Sequence, residues 1–200
     1  MPLPADIATF TLELITSRHS VSPKRLSAPG PGPDQLRAIV EAAGCAPDHE
    51  LLRPWRLVRI APDQREHLAE VFENSLLERL PEADAAARAQ AREKAHRAPE
   101  LLLAVVRLLP LHADVPEAER HVALGAALQN LLLAAHGMGF AAMLTSGHAL
   151  RTRHFARAFA LAEGEQPLCF VSIGTPTQVK ARRRPAAGEL MSDWAVSPAS

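Results

Sequence analysis

Arg18-His19-Ser20 closes the first apolar stretch of the chain, and these three side-chain types suit an anion. Arginine presents a planar fork that matches phosphate oxygens and stays charged. A hydroxyl and loop amides add neutral hydrogen bonds, and each bond to a charged group contributes roughly 1.5–3 kcal/mol. The same arginine would also serve, with no ligand, as a cation at a helix C-terminus. A second set follows in Ala46-Pro47-Asp48-His49 and Pro54-Trp55-Arg56. His49 can donate to a ligand edge or a phosphate, or bond the backbone of its own loop. Trp55 reads as a core anchor. In Met143-Leu144-Thr145-Ser146-Gly147 the polar residues come after a predicted strand, where they can face a ligand at the strand end. They fit equally an ordinary turn in which Ser146 caps the next helix. Lys180, beyond Gly174-Thr175-Pro176, offers either a second phosphate charge or a solvated lysine.

Other chemistries fail on spacing. Nine histidines invite a metal, yet there is no His-Glu-x-x-His and no Cys-x-x-Cys pair. Gly-x-Gly-x-x-Gly, the P-loop and the Gly-x-Ser-x-Gly elbow are all absent. Cys45 sits beside Gly44 at a predicted helix C-terminus, which disfavours a thiolate, so it is not read as a nucleophile. Lys plus Arg number 22 and Asp plus Glu 22, a neutral balance that argues against nucleic-acid or anionic-membrane partners. The two cysteines form no disulfide framework and fit a reducing, cytoplasmic setting, and no secretory leader pattern precedes the first helix. No apolar run approaches the roughly 20 residues that cross a bilayer.

The elements that must position these residues follow from periodicity. Ile7, Phe10, Leu14 and Ile15 predict a helix over about 6–17. Residues 18–33 read as a loop, because Pro29-Gly30-Pro31-Gly32-Pro33 sustains neither helix nor ladder. Asp34 is expected to cap a second helix that Gly44 stops. Residues 55–60 alternate as a short strand, and Pro62 opens a third helix with Leu68, Val71, Phe72 and Leu76 inward. The alanine- and charge-rich 81–97 segment lacks large apolar anchors and is expected to be a mobile peripheral helix or lid. Residues 101–109 read as a central strand covered on both faces. Residues 117–137 form the longest helix, apolar nearly all round, which requires burial in the domain or a subunit interface. A strand at 140–144, a helix at 149–161 and a strand at 168–173 complete the pattern. The result is one mixed α/β domain over 1–200, with about four core strands and helices on both faces. The polar tail over 181–200 either frays or lies across a partner.

In order and spacing these motifs resemble the FMN-dependent nitroreductase family, in particular its short single-domain bacterial branch. Arg18-His19-Ser20 is similar to that family's Arg-x-Ser phosphate loop, and Ala46-Pro47-Asp48-His49 with Pro54-Trp55-Arg56 to its Ala-Pro…Pro-Trp block. Gly137-Met138-Gly139 and Gly174-Thr175-Pro176 resemble its two later glycine signatures. The resemblance implies an α+β nitroreductase-like sandwich, a central mixed four- to five-stranded sheet flanked by helices, and a homodimer with FMN at each interface site. It implies that Arg18, His19 and Ser20 contact the FMN phosphate and ring edge. Cys45 and His49 would reach the flavin from the partner subunit. Leu144, Thr145 and Ser146 would lie along the ring and ribityl chain, and Lys180 would face the phosphate. The nicotinamide would approach Ala134, Ala135, His136, Gly137, Met138 and Gly139. The implied activity is a ping-pong oxidoreductase carrying electrons from NADH or NADPH through FMN to a nitroaromatic, quinone or enone. No side chain is nominated as a catalytic acid or base, and no metal is expected. Relatives carry Trp-Arg-Ser where this chain has Leu144-Thr145-Ser146, and often arginine where it has Cys45. A flavin- or ligand-binding homodimer without reductase activity is therefore the alternative, and an empty structural dimer a third reading.

Overall fold

The computed structural model describes residues 5–110, 114–179 and 183–194. Its helices are α1 (Ala5–Ser17), α2 (Pro33–Ala43), α3 (Arg65–Arg79), α4 (Ala85–Glu93), α5 (Glu117–Gly137), α6 (Arg153–Ala158) and α7 (Ala187–Leu190). The strands are β1 (Leu26–Ser27), β2 (Trp55–Arg59), β3 (Glu100–Arg107), β4 (Ala141–Thr145) and β5 (Glu165–Pro176). Strand β5 is the axis of the sheet. It pairs with β3, β4 and β1, while β2 closes the far side of β3. Every ladder between these strands is antiparallel. The parallel component expected of a mixed sheet is confined, among the described residues, to one bridge between Ser20 and Ala142.

Two apolar layers cover the sheet. Strand β3 buries both of its faces, so alternate residues belong to different cores. Leu102, Ala104 and Val106 pack with α2 and α5 through Ile39, Leu124 and Leu131. Leu101, Leu103 and Val105 pack with α3, α4 and α6 through Leu68, Phe72 and Phe155. Long side chains tie the edges. Arg56 on β2 forks Glu165 through two bonds of 2.7 Å, reaching across β3 to the start of β5. Arg59 forks the buried Glu100 at 2.8 Å. Buried Arg65 donates to the carbonyls of Ile60, Ala95 and Pro99, which holds α3 against the loop that enters β3.

Several expectations are corrected. The 18–33 segment contains a 3-10 turn at Pro23–Arg25 and the two-residue β1. Helix α2 starts at Pro33 with Gly32 as its cap, and Asp34 lies in its first turn. The 81–97 segment is not a loose lid. Ala91 and Ala95 are buried against α3, and Arg88 and Arg92 bind Glu73 at 2.6 and 2.8 Å. Small side chains let α4 approach closely, and ion pairs take the place of large apolar anchors. The 149–161 helix divides into a 3-10 turn at His148–Arg151 and the short α6, capped by the Thr152 hydroxyl. Strand β5 is twice as long as its apolar run suggested and includes Gly174-Thr175-Pro176. Gly174 is required there, since a Cβ would come within 2.7 Å of Pro99. The 117–137 helix has the expected bounds.

One layer stays open. Helix α1 packs on the C-terminal part of α5 but turns Phe10 and Leu12 outward, each 63% exposed. Val122 on α5 and Leu190, Met191 and Trp194 in the tail are also exposed. No described helix is long and apolar enough to cross a membrane.

The Arg56 fork, a bond from the Ala162 amide and Arg107 together hold the Glu165 carboxyl at about 2. A depressed carboxyl contributes stability above its unfolded value of about 4.5, and that contribution disappears as pH falls through about 2. Urea unfolding of Glu165→Gln at neutral pH is expected to show a loss of order 3 kcal/mol. The difference from the parent should vanish by about pH 2.

Candidate functional site

Residues 18–21 leave α1 and run beside β4. Ser20 bridges Ala142, and the Val21 amide donates to the Ala142 carbonyl at 3.3 Å. Arg18 is thereby half-buried, and its Nη1 is fully buried with no hydrogen-bond partner. Burial first, and the neighbouring Arg184 guanidinium second, push the Arg18 pKa down from its ordinary value. Arg184 comes from the tail and donates to the carbonyls of Thr16 and Arg18, the free carbonyl end of α1. Two guanidiniums thus meet at one helix end, and a buried N–H is left with nothing to bind. An unsatisfied buried donor costs about 1–3 kcal/mol, more for a charged group. An anion at this point would offset that cost.

Two histidines complete the cluster. His19 Nδ1 donates to the Ser17 carbonyl at 2.6 Å, which leaves Nε2 available. Ser17 Oγ lies 2.9 Å from His136 Nε2 near the end of α5. Burial, together with Arg18 and His19, holds the His136 pKa below 6.5, so the ring is neutral near pH 7. The Ser20 hydroxyl is exposed and binds no described residue. Gly139, with φ +86°, ends α5 in the left-handed turn that sends the chain into β4. At the other end of β4, Leu144 packs toward α5, while Thr145 and Ser146 line a cavity of about 420 Å³ on the opposite face of the sheet.

Cys45 and His49 lie elsewhere. Exposed Cys45 follows α2, with Sγ 3.7 Å from the Glu41 carbonyl. The Asp48 carboxylate accepts from the Arg53 amide and folds the loop back. Glu50, Leu51 and Arg53 adopt positive φ inside it, a strained conformation for such side chains. His49 Nδ1 binds Glu119 at 2.9 Å, and that bond raises the His49 pKa above 6.5. Glu119 is in the first turn of α5, whereas His136 is in its last. At about 1.5 Å per residue the two are about 25 Å apart. One chain therefore gathers Arg18, His19 and Ser20 with the 134–139 turn, and holds His49 at the far end of the same helix.

The remaining residues divide by exposure. Gly137, Met138 and Gly139 are exposed, and Ala134 and His136 are partly so. Ala135 is wholly buried in the core, so a nicotinamide cannot reach its side chain. Lys180 lies outside the described residues. The sequence reading missed Arg184 and Ser17, although the basic run Arg182-Arg183-Arg184 beyond Lys180 was the available signal. Among the described residues no group of histidines, cysteines and carboxylates could hold a metal ion.

The sequence model of the Nitroreductase family matches residues 15–175. The protein called "Putative NAD(P)H nitroreductase YdjA" in Escherichia coli (strain K12) is 33% identical over 170 residues, 85% of this chain and 90% of that one. A nitroreductase-like family protein from Bacillus cereus superposes with a TM-score of 0.76 at 21% identity, covering 96% of this chain and 97% of its own. The NADPH:FMN oxidoreductase of Vibrio harveyi, complexed with NAD+, gives 0.69 at 20% identity, over 95% and 79%. The matched span runs from the end of α1 to the end of β5 and contains both halves of the site, and on these grounds the chain belongs to the nitroreductase family.

Proposed function

We propose that the protein is a homodimeric, FMN-dependent NAD(P)H oxidoreductase that reduces a small organic acceptor, such as a nitroaromatic, quinone or enone. The observation that carries this reading is the unpaired, buried Nη1 of Arg18 beside Arg184. The donor set fits a phosphate monoester: a fork with a free N–H, a second guanidinium, an unbonded hydroxyl at Ser20 and the His19 ring. The named activity of the YdjA relative and of the Vibrio harveyi neighbour supports the choice of FMN and NAD(P)H.

Arg18 and Ser20 grip the phosphate, with Lys180 as a further charge. Arg184 closes the α1 terminus and adds positive potential. Leu144, Thr145 and Ser146 supply backbone and side-chain contacts along the ring and ribityl chain. When bound, FMN supplies hydride acceptance from NADH or NADPH and electron donation to the acceptor, chemistry that no side chain here possesses. Donor and acceptor take the same place in turn, beside the exposed residues of the 134–139 turn, which makes the kinetics ping-pong. No residue is required as a general acid or base.

The about 25 Å between the two ends of α5 favours a dimer. A two-fold arrangement with α5 helices antiparallel would bring Cys45 and His49 of the partner subunit to the Arg18 end. The outward apolar residues of α1, Val122 and the tail provide the surface such an interface needs. A non-catalytic flavin binder is the second reading, favoured by uncharged Leu144-Thr145 at the strand end. Yellow protein that oxidises neither NADH nor NADPH with a quinone present would select it.

The first test is an absorbance spectrum with added FMN, followed by initial rates at several donor and acceptor concentrations. Parallel double-reciprocal lines are expected, and protein that stays colourless with micromolar FMN would end both flavin readings. Arg18→Ala should weaken FMN by about 1.5–3 kcal/mol in a fluorescence titration. Val122→Glu should shift the sedimenting species from dimer to monomer and release FMN. The raised His49 pKa keeps that ring cationic above 6.5, and the charge is lost as pH rises through the raised value. FMN affinity should therefore fall as pH rises through that raised value, and His49→Gln should flatten that part of the profile.

A further inference from the structure

The cavity behind Thr145 has its own chemistry. It occupies about 420 Å³ between β4, α3 and the turn after α4, on the face of the sheet away from α5. That volume falls within the roughly 300–1,000 Å³ of small-molecule sites. Its walls are apolar and partly aromatic. Phe72 and Phe170 meet edge to face there at 5.5 Å and 82°, and Leu76, Leu101 and Leu150 complete the lining. On the floor, Ser172 is only 2% exposed and its hydroxyl binds no described residue. Its neighbours across the ladders are Leu101 on β3 and Met143 on β4, which offer that hydroxyl no side-chain partner. Cations gather at the mouth. Arg97 is paired with Glu93, whereas Arg79 and Lys94 have no ion-pair partner among the described residues.

We propose that this cavity is a second ligand site, separate from the Arg18 clamp, for a small aromatic carboxylate of one or two fused rings. The walls take the ring, since aromatic edges and leucines favour a planar apolar body. Arg79 and Lys94 take the carboxylate through charge-assisted hydrogen bonds. Ser172, whose hydroxyl faces the cavity without a partner among the described residues, takes a polar ring substituent. Inorganic phosphate alone would leave the walls uncovered, and a cationic ligand would meet the like charges of Arg79 and Lys94 at the entrance. Thr145 and Ser146 border both this cavity and the proposed flavin contacts, so the two sites adjoin at the end of β4.

Calorimetry with FMN-free protein, 2-naphthoate and uncharged 2-naphthamide tests the assignment. The carboxylate is expected to bind, and the amide to bind about tenfold more weakly or worse. Arg79→Ala with Lys94→Ala should reduce 2-naphthoate to the level of the amide. Leu76→Trp fills the cavity and should abolish binding, and Ala149→Phe narrows it from another wall if that variant does not fold. FMN titration and a melting curve on each variant report the clamp and the fold independently. Loss of flavin binding by the parent protein would defeat the oxidoreductase reading and leave this site standing. No heat from 2-naphthoate at millimolar concentration, equal affinity for the amide, or unaltered binding in a folded cavity-filling variant would overturn it.

Discussion

The continuous pairing of β5 is the constraint on which the rest of the molecule depends. Its twelve residues pair with β3, β4 and β1. Its inner residues are buried on both faces, so each face needs its own helical layer. Ser20 is referred to this strand through one intermediate: it hangs on β4, and β4 hangs on β5. The close contact of Gly174 with Pro99 sets how near the loop entering β3 can lie to this strand.

Helix α5 adds a second constraint, one of distance. It is buried along one side by α2 and the sheet, while Val122 and Gly125 on its other side have no neighbour to cover them. Because it spans the molecule, the residues fixed at its two ends cannot serve one ligand within one subunit. The strained loop around Glu50 and the His49–Glu119 pair are local investments that bring no benefit to the Arg18 end of their own chain.

Much of this architecture is legible in the chain because burial leaves a pattern. Residues 101–109 read as a doubly covered strand, and residues 117–137 as the dominant helix, because apolar side chains occupy every position that packing requires. Arg18-His19-Ser20 stands out in the sequence because so few residue types suit an anion, and the fold sets Arg18 beside Arg184. Helix α4 was misread since its anchors are alanines and arginine–glutamate pairs, which carry no hydrophobic signal. The length of β5 was hidden by Pro167 and Gly174, residues that usually end strands and here are tolerated within one. Arg184 was missed because nothing local links it to Arg18; only tertiary structure brings the two together across 166 positions. Ser172 is likewise an ordinary serine in an apolar run until the space in front of it is known.

The clasp of Arg184 on the last carbonyls of α1 has a temporal consequence. The Arg18 carbonyl at the end of α1 is closed by a side chain that leaves the ribosome 166 residues later. Chains in mid-synthesis hold the first guanidinium without the second, so the positive potential at this helix end is complete only once Arg184 has been made. A chain that stops short of Arg184 therefore attracts anions to the end of α1 more weakly than the folded protein does.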